Sequence, residues 1–97
     1  MPYLTIAGLD GDRERLLDGY RSTATVMDGV GRDHGLILHA AAPTEKGLLI
    51  VNLWPSRRES EAASEDPRRR ASLRAVAVDP ARQRKQHFEL ERYVLFA

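Results

Sequence analysis

The sequence predicts an α+β domain in the order β-α-β-β-α-β. Three features carry this: two apolar runs either side of Pro43-Thr44-Glu45-Lys46-Gly47, an apolar stripe at helical spacing before them, and a serine-capped helix after them. The runs, Gly35 to Ala41 and Leu48 to Trp54, have strand length and flank turn-forming residues, which is the pattern of a hairpin.

Taken in order, Pro2 to Ala7 alternates, with Tyr3, Thr5 and Ala7 on one side and Leu4 and Ile6 on the other, and is expected to be a strand ending at Asp10-Gly11-Asp12. From Asp12, Leu16, Tyr20, Ala24 and Met27 recur at helical spacing, Leu17 widens the stripe, and Asp12 and Glu14 suit the positive N-terminus of a helix. Gly29 and Gly31 are the expected stop. After the hairpin, Ser56-Arg57-Arg58-Glu59 matches a capping box, in which Ser56 accepts from the Glu59 amide and the Glu59 side chain reaches back. The helix it opens should break at Asp66-Pro67, where Asp66 caps a further helical segment running to about Val76 and closed by Asp79-Pro80. A final alternation from Gln86 to Phe96, with Phe88, Leu90, Val94 and Phe96 on one face, predicts the last strand.

With 97 residues the chain is expected to be one domain, residues 1–97, and a chain this short buries only roughly 60–70% of its unfolded surface. The central strands are apolar on both faces: Leu48, Ile50, Asn52 and Trp54 on one, Leu49, Val51 and Leu53 on the other. Helices from this chain can cover one face of a four-stranded sheet, so the second face calls for another sheet, most simply that of an identical subunit. A homodimer is therefore expected.

A formal charge of +1 supplies no field to attract nucleic acid or an anionic membrane. The arginine clusters Arg57-Arg58, Arg68-Arg69-Arg70 and Arg82-Arg84-Lys85 are interleaved with or adjacent to Glu59, Glu61, Glu65, Asp66, Glu89 and Glu91, and are expected to be solvated helix faces rather than a nucleic-acid patch. The absence of cysteine rules out disulfides, thiolate catalysis and thiolate-bound metals. No apolar run approaches the roughly 20 residues that span a bilayer, and the N-terminus lacks a basic region followed by an apolar core, so a cytoplasmic protein is expected. Glycine-rich phosphate loops, a nucleophile elbow and a dinucleotide fingerprint are missing.

The order of elements, together with Gly35-Leu36-Ile37-Leu38-His39 and Gly47-Leu48-Leu49-Ile50-Val51-Asn52-Leu53-Trp54-Pro55-Ser56, resembles the antibiotic-biosynthesis-monooxygenase-like group of the dimeric α/β barrel superfamily. The likeness spans nearly the whole chain, and its most recognisable part is the strand ending in Trp54, then Ser56 opening a helix, then Asp66-Pro67. It implies a ferredoxin-like subunit with an antiparallel four-stranded sheet that packs face to face with its partner's, and a pocket between sheet and helices. Active members oxidise aromatic polyketides without metal or flavin, degrade haem, or catalyse isomerisations. The haem-degrading relatives use a histidine on the second helix, and none lies between Ser56 and Val76, so no cofactor is expected.

In the expected register a four-residue loop, Pro43 to Lys46, pairs Ala42 with Gly47, His39 with Ile50, Ile37 with Asn52 and Gly35 with Trp54. His39, Asn52 and Trp54 then share a face, and a one-residue slip would send His39 to the other. The resemblance turns Trp54 toward the helices, which makes the shared face the pocket side. The expected site has His39 as the base that deprotonates a phenol, Asn52 as a donor to the resulting anion, and Trp54 as a wall against a flat ring. Ile37, Ile50 and Tyr20 complete the substrate contacts. The bland alternative makes His39 and Asn52 satisfied polar residues of a half-buried strand and Trp54 a core anchor under the second helix. That helix carries only Ala62 and Ala63 as apolar side chains before Asp66, which leaves either a cavity or a close approach to the sheet. His34 and His87 are expected at strand ends or on exposed faces without a role, and no metal-ligand spacing emerges. Two functions follow: a cofactor-independent monooxygenase or related enzyme for a small aromatic or polyketide-like substrate, or a non-catalytic ligand-binding or structural dimer.

Overall fold

The computed structural model describes residues 1–76 and 80–96. Its elements are β1 (Tyr3–Asp10), α1 (Arg13–Asp33), β2 (Leu38–Thr44), β3 (Gly47–Trp54), α2 (Arg57–Ser64), α3 (Pro67–Ala75), a 3-10 turn (Pro80–Arg82) and β4 (Gln83–Glu89). The strands form one antiparallel sheet in the order β2-β3-β1-β4. This is a ferredoxin-like α+β fold in which the second helical crossover is split in two. The expected break at Asp66-Pro67 is the α2–α3 junction, with Asp66 accepting from the Arg68 amide as the α3 cap. The expected closure at Asp79-Pro80 falls, at Asp79, outside the described residues.

Three boundaries differ from expectation, each for a physical reason. The hairpin closes on Thr44 and Gly47, so the loop is Glu45-Lys46 and His39 pairs with Asn52 rather than Ile50. Pro43 is a strand residue: β2 lies at the sheet edge, where proline is tolerated because outward-facing positions need no N–H. The correction is two residues, an even number, so it preserves which side chains share a face. Gly47 makes the short loop feasible: it has φ +150°, its amide bonds the Thr44 hydroxyl at 3.0 Å, and a Cβ there would lie 2.1 Å from the Leu9 carbonyl oxygen.

Helix α1 runs through Gly29 and Gly31 to Asp33. Its stop is Gly35, at φ +77°, in a Schellman turn with Leu36 N–H on the Gly31 carbonyl (2.8 Å) and Gly35 N–H on that of Arg32 (3.3 Å). Gly31 serves packing instead, since a Cβ would lie 2.7 Å from the Leu36 side chain. The final strand is Gln83–Glu89, not Gln86–Phe96. It pairs with β1, whose ladder begins at Tyr3 opposite Glu89; the Leu90 amide makes one further bond, to the Pro2 carbonyl at 2.8 Å, and Leu90 to Phe96 continues without regular structure.

The helices cover one face of the sheet. Tyr3, Val30, Trp54 and Ala63 form the buried core there, with Leu36 packed against it, so the small side chain of Ala63 brings α2 close to the strands. Ser56 caps α2 by accepting from the Arg58 amide and donating to the Glu59 carboxylate, which holds Glu59 below its ordinary value. The opposite face is apolar and carries no helix; its central Leu53 is buried, whereas the residues around it are half-buried or exposed. Leu38, Leu53, Leu4 and Phe88 lie in one row across it, with Val51 and Ile6 in the next, and Leu38 and Phe88 are exposed.

A charge cluster ties the end of α1 to the α2–α3 junction. Asp66 accepts from Arg68 at 2.9 Å and meets His34 Nε2 at 3.0 Å, while Arg68 also reaches Asp33 at 2.9 Å. Arg70 pairs with Glu65 and Arg84 with Asp10, so Arg68, Arg70 and Arg84 are each locally compensated.

Two outcomes follow. In urea titrations Gly47→Ala should lose about 2 kcal/mol or more through strain and collision, whereas Gly29→Ala, whose Cβ meets nothing closer than 3.9 Å, should gain up to about 1 kcal/mol as a helical glycine replaced. Hydrogen bonds from Arg68, then from His34, hold the Asp66 carboxyl far below the ordinary carboxylate range. The unfolded chain protonates it near pH 4 and the folded chain does not, so its contribution is full above about pH 5 and declines as pH falls through 4. Thermal melts of Asp66→Asn should show a weaker acid dependence over that window than the wild type.

Candidate functional site

Because the sheet is antiparallel and in register, the helix-facing side chains fall into rows across all four strands. One row reads His39, Asn52, Thr5, His87. The next, toward the hairpin, reads Ala41, Ile50, Ala7, Lys85, and on the other side Trp54, Tyr3 and Glu89 align. A wholly polar row is thus framed by an aromatic row and a largely apolar one. Between this floor and the helices lies a cavity of about 670 Å³, within the size range of small-molecule sites. Leu16, Tyr20, Ala24 and Met27, the stripe of α1, form its roof, and Ser60, Ala63, Arg69 and Leu73 line it from α2 and α3.

Three side chains interlock at the β2 edge. His39 Nδ1 lies 2.6 Å from Asn52 Oδ1, and its Nε2 lies 2.6 Å from the Tyr20 hydroxyl. With the Asn52 oxygen as acceptor, Nδ1 carries the proton and donates, and Nε2 accepts from the Tyr20 O–H. The two rings stack at 5.8 Å with 21° between their planes. Burial, and after it the negative charge of Asp28, push the Tyr20 phenol above its ordinary value, which keeps it a donor at neutral pH. The result is a directed chain, Tyr20 to His39 to Asn52, that can take a proton at the tyrosine end.

Of the expected site residues, His39, Asn52, Trp54, Ile50 and Tyr20 all line the cavity. Ile37 is not among the lining residues; it precedes β2, with its amide bonded to the Leu53 carbonyl. Trp54 serves two ends, since it is 6% exposed in the core cluster and also borders the cavity. His39 is solvent-accessible, so the triad sits at the rim rather than in the interior.

Sequence reasoning missed the β4 side. His87 lines the cavity and stacks on Tyr3 at 5.9 Å and 20°, and Arg57 lies over the Tyr3 ring at 5.4 Å. Lys85 and Arg69 line it as well. Burial lowers the Arg69 guanidinium from its ordinary value, with Arg70 adding to the shift, and burial followed by the Arg69 charge lowers the Lys85 ammonium. The available signal was the alternation Gln83, Lys85, His87, hidden by starting the strand three residues late. Among the described residues no three His, Asp or Glu side chains converge as a metal site, and no helix is long and apolar enough to cross a membrane.

No protein-family model matches the chain, and no curated protein matches it in sequence. Solved structures share its fold. A dimeric ferredoxin-like protein of unknown function from Jannaschia sp. CCS1 aligns with a TM-score of 0.77, covering 93% of this chain and 100% of its own at 12% identity. A structure described as an antibiotic biosynthesis monooxygenase aligns at 0.71, covering 95% of this chain and 100% of its own at 7% identity. SnoaB, a cofactor-independent oxygenase from Streptomyces nogalater, aligns at 0.66, covering 96% and 94% at 12% identity. Structures bearing the monooxygenase name are therefore among its fold neighbours, as the sequence resemblance implies.

The hydrogen-bond chain makes a spectroscopic prediction. Long-range ¹H–¹⁵N correlation of the neutral His39 ring should show the Nδ1–H tautomer with an unprotonated Nε2; the opposite tautomer would reverse the direction of the chain.

Proposed function

We propose that this protein is a cofactor-independent oxygenase acting on a small, flat phenolic substrate of the polyketide type, and that it works as a homodimer. The observation that carries the activity is the Tyr20–His39–Asn52 chain at the rim of a cavity floored by a polar row. The fold neighbours described as an antibiotic biosynthesis monooxygenase and as a cofactor-independent oxygenase support the same reading.

A substrate hydroxyl donates to the Tyr20 oxygen as Tyr20 passes its own proton to His39 Nε2, leaving an imidazolium whose Nδ1–H rests on Asn52. Asn52 uses its oxygen for His39, so its amide N–H groups are the ones that donate to the anion. The electron-rich anion then transfers one electron to dioxygen, and the radical pair combines as a peroxide that regains the proton from His39. For an anthrone, loss of water from the hydroperoxide leaves the quinone: one oxygen atom enters the product and the other departs as water. Trp54 and Ile50 supply flat and apolar contacts to the ring.

Dimerisation is inferred from the helix-free face carrying Leu4, Ile6, Leu38, Leu49, Val51 and Phe88; Tyr93, Val94, Leu95 and Phe96 are exposed apolar surface as well. A fold neighbour is described as dimeric. A second copy brings an equivalent sheet to cover that face.

Oxygen uptake with 1,8-dihydroxyanthrone tests the activity. Tyr20→Phe and His39→Ala should each lower kcat by about a hundredfold or more, whereas Trp54→Phe should act mainly on KM. A folded wild type without turnover defeats the oxygenase assignment, and quenching of Trp54 fluorescence by the anthrone without oxygen uptake would identify a binding protein instead. Light scattering after size exclusion should give twice the chain mass, and Val51→Glu should yield a monomer or an unfolded chain by placing a charge in the apolar interface.

A further inference from the structure

The far end of the cavity carries positive charge that the proposed chemistry does not use. Lys85 lies on β4, three strand spacings from the His39 strand, or about 14 Å across the sheet. Arg69 lines the same cavity from α3 and is half-buried. The two cations are close enough for Arg69 to disfavour the charged form of Lys85. Three carboxylates also line the cavity, and each is directed elsewhere. Asp10 holds Arg84 at 2.8 Å, Asp12 caps α1 on the Arg15 amide, and the Asp28 charge acts on Tyr20. Among the described residues neither Arg69 nor Lys85 makes an ion pair.

Arg69 is half-buried and Lys85, though exposed, borders the same cavity; with no counterion among the described residues the two like charges disfavour each other, and a bound anion relieves that repulsion. Both line the cavity, and neither is neutralised as Arg84 is by Asp10, so an anion that they hold lies at the cavity. We propose that Arg69 and Lys85 form an oxyanion subsite that takes a carboxylate carried at the end of the substrate remote from the hydroxyl that reaches Tyr20. The placement of the hydroxyl rests on the oxygenase reading; the subsite itself does not. The cavity would thus select elongated aromatic acids over neutral phenols of the same shape, with the ring lying over Thr5 and Ala7 between its two polar ends.

Binding of a carboxylate without a phenol separates the two ideas. In calorimetric titrations at low ionic strength, 2-naphthoate should bind the wild type at least about tenfold more tightly than 2-naphthalenemethanol. Added sodium chloride should narrow that difference in the wild type itself, so the outcome does not hang on a variant that folds. In Arg69→Gln with Lys85→Met the two ligands should bind within about twofold of each other. Equal affinities in the wild type, no detectable naphthoate binding, or a preference that survives the double substitution would overturn the subsite. A retained naphthoate preference in a protein that consumes no oxygen with the anthrone would remove the oxygenase assignment and leave the subsite standing.

Discussion

The arrangement of the molecule depends on the crowding around Gly47. There the end of β1, the start of α1 and the hairpin meet so closely that any Cβ would strike the Leu9 carbonyl and the Leu16 side chain together. That contact sets the two-residue loop, the loop sets the β2–β3 register, and the β3–β1 ladder carries the register to β4. Side-chain direction alternates strictly along a strand, so one local packing decision assigns every residue of four strands to the helices or to the open face. The row from His39 to His87 is a product of that assignment.

The two faces divide the work of a small protein. The helix side has a small core: Tyr3, Val30, Trp54 and Ala63 pack together at one end of the sheet, and Leu48 is buried at the hairpin end. The rest of the space under α1 is left as cavity. A sheet face of Leu, Ile, Val and Phe adds to the stability of this sparse core when something covers it, so the proposed dimer would couple folding to assembly. The same separation frees the cavity side for polar residues, because stability is drawn from elsewhere.

Much of this was legible in the chain. The β-α-β-β-α-β order, the capped start of α2, the Asp66-Pro67 junction and the shared face of His39, Asn52 and Trp54 all rest on local chemistry. Misplaced boundaries occurred where tertiary contacts decide. Gly29 and Gly31 signal a stop, but Gly31 is needed for space beside Leu36 and the stop lies at Gly35. Pro43 signals a turn, yet at an edge it is compatible with a strand. The run to Phe96 alternates, yet beyond Tyr3 the β1 side supplies one more backbone bond, Leu90 N–H on the Pro2 carbonyl at 2.8 Å. The Tyr20–His39 contact joins residues 19 apart on different elements, and no spacing rule announces it. Lys85 and Arg69 are still less visible, since two basic residues in an arginine-rich chain stand out only once ion pairs elsewhere have accounted for their neighbours.

The borders of the sheet have their own consequence. An open sheet with bare backbone along its rims can recruit further strands without end, which is the route to fibres. Here one rim, β2, is seven residues long and carries Pro43 near its tip, and the other, β4, is a run of Gln83, Arg84, Lys85, Gln86 and His87. Both oppose lateral growth, one by a ring in place of an N–H and one by polar and charged side chains. The apolar side chains of the strands lie on a face instead, and a second copy seated there would close the pairing on itself and halt growth after a single step.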